Sequence, residues 1–541
     1  MKRLVLYTLL LIGTASLFAE EVEFSVKNYL KYGDGKEYAG EKKDIEFSRR
    51  YFENWMDLNI SKGELSIDLR LEAAQKSQKG EEIADLTKKS ITYEKDNLKV
   101  TAGDFYTIFG RGVVLDLREE KANFFDNKIF GGKAEYYSDF FTLQAIGGKG
   151  IYRYVNDSSN NPADHYIVEL NNTIYGSDVV FGLSDMLDIE NGSLSIGGSY
   201  LFMEGEEADE LIYLYEENFI EKTEVFSANV SANFWDIDFY NEYAVKSTHR
   251  SPRQEGWANY TSLSYFGVKG LSLTLEYKDY YKFGANPNII ESSFTPYQNP
   301  AQVVIDHTAH LLKNNPHVVN ANDEIGFQFQ LRTSLIENFD IALITAMSSL
   351  HDENSLIPSS DDDFLPYFDN WLEVGTKIGK HGLALGGGFF KDSPMGKNSE
   401  LDFGDIEDGS VTNYERITGM MEFNYELSSK DGLKFGFEGQ SVNHHDGLTD
   451  EDEKYEDYYG SIEYAYPEYG YVNVSIIKTT EEVPEGTDDY WLGYEIGYNI
   501  SENHKLELYY GRERAGIKCS GGSCRQVPEF DGFKLSLVSS F

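Results

Sequence analysis

GFKLSLVSSF, Gly532 to Phe541, closes the sequence on an aromatic residue. Phe533, Leu535, Leu537 and Phe541 share one parity, and Lys534, Ser536 and Ser540 share the other; only Val538 and Ser539 break the alternation. Successive side chains of a strand point to opposite faces, so this stretch reads as a strand with one apolar and one polar face. Soluble domains usually finish in a frayed hydrophilic tail. Here the strand includes the last residue, and it needs a partner that tolerates a chain end.

The same alternation recurs along the chain. Leu65, Ile67, Leu69 and Leu71 alternate with Ser66, Asp68, Arg70 and Glu72. Leu271, Leu273, Leu275 and Tyr277 alternate with Ser272, Thr274, Glu276 and Lys278. Leu433, Phe435 and Phe437, then Val472, Val474 and Ile476, then Leu506, Leu508 and Tyr510 repeat it. No convincing helical period interrupts the pattern, so the chain is all-β.

The connections alternate too. Short, turn-rich ones lie near residues 61, 95, 137, 188, 235, 268, 336, 379, 428, 466 and 501. Between them lie long polar ones, such as GDGKEYAGEKKD near 33, EGEEADE near 204, PSSDDDFLP near 358 and HHDGLTDEDEKYED near 444. Short turns alternating with long loops are the signature of an outer-membrane barrel, with short periplasmic turns and long extracellular loops. Eleven short turns make eleven hairpins. Terminal strands near Glu23–Tyr32 and Phe533–Phe541 bring the expectation to about 24 strands, within 22–26. The fold is therefore read as one large antiparallel transmembrane β-barrel, in which the last strand pairs with the first and leaves no edge.

Composition agrees. The chain has 541 residues, 39 Tyr and 34 Phe, yet its mean hydropathy is only −0.45. A membrane barrel hides its apolarity this way, with every second residue apolar and aromatics gathered at the interfaces. Lys2 and Arg3, the apolar run Leu4–Phe18 and Ala19 read as a secretory signal, giving a signal peptide over 1–19 and a barrel over 20–541. No other apolar run is long enough for a membrane helix. A net charge of −43 argues against nucleic acid as a partner and against an anionic membrane surface.

Four stretches carry a family resemblance: GDFYTIFGRGVVLDLREE (Gly103–Glu120), FDNKIFGGK (Phe125–Lys133), HTAHLLKNNPHVVNANDEIGF (His307–Phe327) and CSGGSCRQVPEFDGFKLSLVSSF (Cys519–Phe541). The chain resembles a family of uncharacterised bacterial outer-membrane barrels, a domain of unknown function. The resemblance implies location and fold and carries no activity. The terminal Phe541 also resembles the signal read by the barrel assembly machinery of gram-negative bacteria.

Other motifs are weighed against plainer readings. Cys519 and Cys524 enclose SGGS; the two glycines let the bend close to disulfide range, and the gap does not suit a CxxC metal or redox pair. His307, His310 and His317 crowd together beside Asp306, with His307 and His310 on one face of a short helix. Zinc is conceivable there, but no Cys and no HExxH spacing support it, so a polar loop folded into the lumen is preferred. Arg111, Arg118, Glu119, Glu120 and Lys121 flank the aliphatic run Val113–Leu117, which is odd for an exposed loop and suggests inward folding. Together these residues form a candidate lumen-constricting set. The acidic runs near 361 and 449 are read as solvated loop charge, without EF-hand spacing.

The leading functional expectation is a porin-like outer-membrane channel or transport barrel of modest cation preference. It would sit among outer-membrane lipids and pass small polar solutes or cations, with no cofactor. A TonB-dependent receptor needs a plug domain before its barrel, whereas strands begin directly after Ala19. An outer-membrane enzyme has only His444, His445 and Asp446 to draw on, with no nucleophile motif. A plugged scaffold or adhesin with partner-binding acidic loops is the alternative.

Overall fold

The computed structural model describes residues 22–541, apart from 40–44, 76–81, 122–124, 157–165, 206–221, 250–254, 286–294, 306, 315, 353–354, 394–411, 448–450, 484–487 and 521–522. The signal-peptide reading of 1–19 lies outside the described residues.

Twenty-four antiparallel strands form one sheet that closes on itself. Each strand pairs with the next along the chain, and the last, Glu529–Ser540, pairs with both His504–Glu513 and the first, Glu23–Ala39. In the closing register Leu30 faces Leu537 and Lys27 faces Ser540. Phe541 adds a final rung: its N–H donates to the Val26 carbonyl at 2.9 Å, and the Val26 N–H donates to the Phe541 carbonyl at 3.1 Å. Closure leaves no unpaired edge, which is how a chain end can sit in a strand. All eleven short connections read from the sequence join adjacent strands at one end of the barrel.

Alternation decides the two faces. Ile67, Leu143, Leu275, Leu385, Val472 and Ile496 are exposed on the outside. Their neighbours of opposite parity, among them Arg70, Glu242, Lys278 and Gln440, are buried within. An apolar outer band around a polar inner wall, with every backbone group paired, is what a bilayer requires. The molecule is a closed transmembrane β-barrel.

Two expectations change. The first strand runs on to Ala39 and the second, Ile45–Lys62, begins much earlier than the loop near 33 allowed. Likewise Gly432–Asp446 and Glu451–Tyr466 pair up to Asp446 opposite Glu451, so the acidic run near 449 lies largely on a strand. Above the membrane both faces of a hairpin meet water. Apolar alternation is lost there while the hydrogen-bond ladder continues, and ion pairs such as Lys36–Glu46 (2.8 Å) take over the cross-strand contacts.

Candidate functional site: two segments inside the barrel

The first segment joins the strands Leu98–Phe105 and Ile129–Tyr137. Thr107–Phe109 pairs with Leu115–Leu117 as a small hairpin of its own. Its bend is Gly110-Arg111-Gly112, where both glycines have positive φ (59° and 84°). A side chain at Gly110 would collide with the Glu242 carboxylate, its Cβ 2.3 Å from Oε1. Glycine is thus what lets the bend reach the wall. Phe109, Val113, Val114 and Leu115 are fully buried, and pack against the inward residues Ile174, Leu201, Met203 and Val225. A hydrophobic core therefore lies within the lumen, built by the aliphatic run that seemed out of place in an external loop. Burial of this kind is the main force holding such a segment.

Polar contacts fix its position. The Arg111 guanidinium lies 4.0 Å over the Tyr240 ring, and its backbone N–H donates to Glu242 Oε2 at 3.1 Å. Arg118 pairs with Asp116 and lies 5.2 Å over the Phe125 ring. Glu119 takes both ends of the Arg70 guanidinium, the Nη2–Oε2 contact being 2.9 Å, and Arg70 Nε also donates to Asp57 at 2.5 Å. Glu120 stands opposite Phe125 in a second short pairing. Lys121 reaches Asp57 at 3.3 Å and lies 4.1 Å from the Tyr29 ring centre.

The second segment joins Leu271–Tyr281 to Asp323–Thr333. It meets the first backbone to backbone. Asp116 N–H donates to Tyr297 O at 2.8 Å, and Asn299 N–H donates to Gly112 O at 3.0 Å. Gln298 Nε2 donates to Val113 O at 3.0 Å, and the buried Asn127 amide donates to both Asp116 O (2.6 Å) and Pro296 O (2.9 Å). The wall holds it through Asn172 on Tyr297 (2.9 Å), Lys278 on Gln302 O (2.6 Å) and Tyr280 on Ala301 O (2.9 Å).

The chain then crosses toward the far wall. Ile305, Ala309 and Leu312 pack with Ile344, Tyr367, Trp371 and Phe390. His307 pairs with Asp369 at 2.5 Å. The short helix is His310–Lys313, so His307 lies outside it, and the expected shared helical face of His307 and His310 is not formed. Instead Glu438 accepts the His310 and Leu311 N–H groups at 2.7 and 2.8 Å, which satisfies the donors of that helix end. The His310 ring stacks on Tyr459 at 4.4 Å. His317 stacks on Tyr367 at 4.1 Å and sits between Asp392 (2.8 Å) and Glu324 (3.3 Å). His310 thus turns to one part of the wall, while His307 and His317 meet another together, since the Tyr367 hydroxyl under His317 donates to the Asp369 carboxylate that pairs with His307, at 3.0 Å. Burial alone would push the His317 imidazole down, but attraction to Asp392 and then Glu324 outweighs it and holds the ring at about 9.

Contacts of the two segments with the strands run from Tyr29 on the first strand round to Tyr459 on Glu451–Tyr466, and Asn314 Nδ2 reaches farther, donating to Ala515 O at 3.4 Å in the connection after His504–Glu513. Beyond that sector Tyr471, Glu495, Glu507 and Tyr509 occupy inward positions on the wall, by the parity that turns Val472, Tyr494 and Tyr510 outward. Lys505 pairs with Glu507 at 2.7 Å there.

Sequence reasoning missed Asn127, Tyr297, Lys278 and Glu324 as anchoring residues. Only the parity of Lys278 marked it, as an inward residue. Cys519 and Cys524 stand directly opposite each other in the hairpin formed by Gly516–Ser520 and Ser523–Val527. The expected bond between them concerns side chains outside the described residues.

Among solved structures, the chain is similar to the P pilus usher (PapC) translocation pore, with 8% identity and a TM-score of 0.41 over 95% of this chain and 99% of that one. It is also similar to the siderophore receptor PirA of Pseudomonas aeruginosa, with 9% identity and a TM-score of 0.42 over 97% and 80%. The outer membrane transporter YddB of Escherichia coli gives 7% identity and a TM-score of 0.41 over 96% and 81%. No curated protein matches the chain. Residues 1–347 and 395–541 match the model of the family of unknown function DUF6029, and the chain belongs to that family.

Proposed function

We propose that this protein is an outer-membrane transport barrel whose lumen is narrowed by its own chain. The carrying observation is the union of the two inward segments through Asn127, Gln298 and the Asp116–Tyr297 bond, in a barrel far wider than they need for support. A 24-stranded sheet encloses more space than the 16–18 strands of water-filled porins. The apolar core inside would be costly to expose, so the segments rest against the wall on one side. Solute then passes along the inner wall of the strands between Gly470 and Ser540, with Asn314, which donates to Ala515 O at 3.4 Å, reaching across the outer end of that passage.

That sector sets the expected selectivity. Glu495 faces it, Lys505 pairs with Glu507 at 2.7 Å and Lys534 with Glu513 at 2.5 Å, and the chain as a whole carries −43. The wall carries both signs with a small acidic excess, and a mouth lined by one sign of charge concentrates the opposite ion. Small cations are therefore favoured modestly. The effect fades as the Debye length falls from about 30 Å at 0.01 M salt to about 3 Å at 1 M. The short turns face the periplasm and the long connections face outward. The role is passage of solute, not catalysis, and the partners are outer-membrane lipids and the barrel assembly machinery.

Reversal potentials of the purified protein in a planar bilayer under a KCl gradient test this reading. A conducting, weakly cation-selective channel supports it. Anion preference contradicts the charge argument, and absence of conductance under all voltages and salts favours the scaffold reading.

A further inference from the structure

The connection from Leu350 to Pro366 takes the opposite course from the two inner segments. Lys278 and Tyr280 hold Gln302 and Ala301 on the inner face of Leu271–Tyr281, so Tyr277, Asp279 and Tyr281 face outward. By the same parity Glu324 faces the lumen, and Asp323 and Ile325 face outward. His351 pairs with Asp323 at 2.5 Å and Asp279 at 3.1 Å, and its ring lies edge-on to Tyr281 at 5.4 Å. The Tyr277 hydroxyl donates to the Leu356 carbonyl at 3.2 Å. The connection therefore folds outward and lies down against the outer wall. Ile325, although outward-facing, is fully buried there.

Depth follows from strand length. A tilted strand needs about 9–11 residues to cross the hydrocarbon. Leu271–Tyr281 has 11, so its upper end, where Asp279 and Tyr281 face outward and Asp279 pairs with His351, lies at the interface, and Tyr277 lies just below that end. Trp257 packs on Tyr281 at 4.6 Å on the same outer face, an aromatic pair of the kind that gathers at a membrane interface. Beside them Leu356 and Ile357 are 73% and 69% exposed. Among the described residues of this connection the exposed carboxylates are Asp352 before the pair and Asp361 to Asp363 after it, and Lys391 holds Asp362 at 2.7 Å. Leu356 and Ile357 are its exposed apolar residues, and the described charges lie to either side of them in the chain.

We propose that Leu356 and Ile357 insert among the acyl chains of the outer leaflet, so that this connection anchors the barrel laterally in its membrane. The occupant is lipid because the pair continues the apolar outer band of Leu263 and Leu275, which already faces hydrocarbon. The proposal rests on the barrel spanning a membrane and is independent of what the lumen passes.

The test places an environment-sensitive fluorophore on Leu356→Cys, and separately on Ile357→Cys, in full-length protein carrying Cys519→Ser and Cys524→Ser. Ser360→Cys, exposed in the same connection, is the control. In phosphatidylcholine vesicles at high lipid-to-protein ratio, the labels at 356 and 357 should be blue-shifted. They should be quenched by lipid-borne nitroxide, and several-fold less sensitive to aqueous iodide than the control. Iodide quenching equal to that of Ser360→Cys would overturn the proposal. Protection that disappears on dilution with more lipid would overturn it too, since it would place a second copy of the chain on the pair.

Discussion

Asn127 donates one side-chain amide to the Pro296 carbonyl at 2.9 Å, joining two segments 169 residues apart in the chain inside the barrel. The same amide donates to Asp116 O, and its Oδ1 accepts the Arg118 N–H at 2.6 Å. One buried side chain thus satisfies three backbone groups from two segments. Removing it would leave those groups without their partner, at about 1–3 kcal/mol for each buried group so stranded. Asn127→Ala should therefore loosen the inner segments without unfolding the barrel. Single-channel recordings should show larger or more frequent openings than wild type, with heat-modifiable gel migration retained. Unchanged conductance would show that the segments hold without this bond.

A second consequence concerns pH. His317 is held at about 9, above its ordinary 6.5, by Asp392 and Glu324. A group raised on folding lends stability that is full below about 6.5 and is lost as pH rises through about 9. The far-wall attachment of the second segment should weaken between pH 7 and 10. Conductance measured across that range should rise, and the rise should be absent in His317→Gln. His351, also held at about 9 against its burial by Asp279 and Asp323, titrates in the same window but sits on the outer wall. His351→Gln should leave the conductance step in place.

The closing rung gives a third. Phe541 exchanges two backbone hydrogen bonds with Val26, and its ring lies 5.0 Å from His504 while remaining largely exposed. Deleting Phe541, or Phe541→Asp, should lower the amount of assembled protein in the outer membrane without lowering synthesis. Normal assembly of both variants, judged by fractionation and heat-modifiable migration, would mean that the recognition feature lies elsewhere.

The hairpin over 516–527 gives a fourth. With Cys519 opposite Cys524, a bond closing so short a loop should contribute at most about 2 kcal/mol, because the constraint on the unfolded chain grows with loop length. Mass spectrometry of protein purified without reductant should find the two joined, and Cys519→Ser with Cys524→Ser should still assemble. Two free thiols would contradict this.

The barrel was legible because a bilayer imposes one rule on every strand. Period-two apolarity survives wherever one face meets lipid, so Leu271–Tyr277 and Phe533–Leu537 announce themselves. The rule lapses above the membrane, and there Gly33–Ala39 and Glu451–Glu453 read as loop although both are paired. Inward folding of the first segment showed through Val113–Leu117, since an aliphatic run flanked by charge needs a core. The partners of that core were hidden. Asn127 with Pro296, or Glu438 with His310, meet only after closure brings distant strands around a common axis, and no local pattern encodes that. The outward course of 350–366 was equally silent, because its apolar pairs, Leu356–Ile357 and Phe364–Leu365, are short and lie among acidic residues.

The most direct test of the central claim compares conductance in planar bilayers of wild type and a variant in which residues 285–322 are replaced by a short Gly-Ser linker. Heat-modifiable migration should first establish that the variant assembles. Narrowing by the joined segments predicts a several-fold larger, steadier conductance in the variant, with weaker cation preference as the passage widens. An assembled variant that conducts no better than wild type would contradict the account.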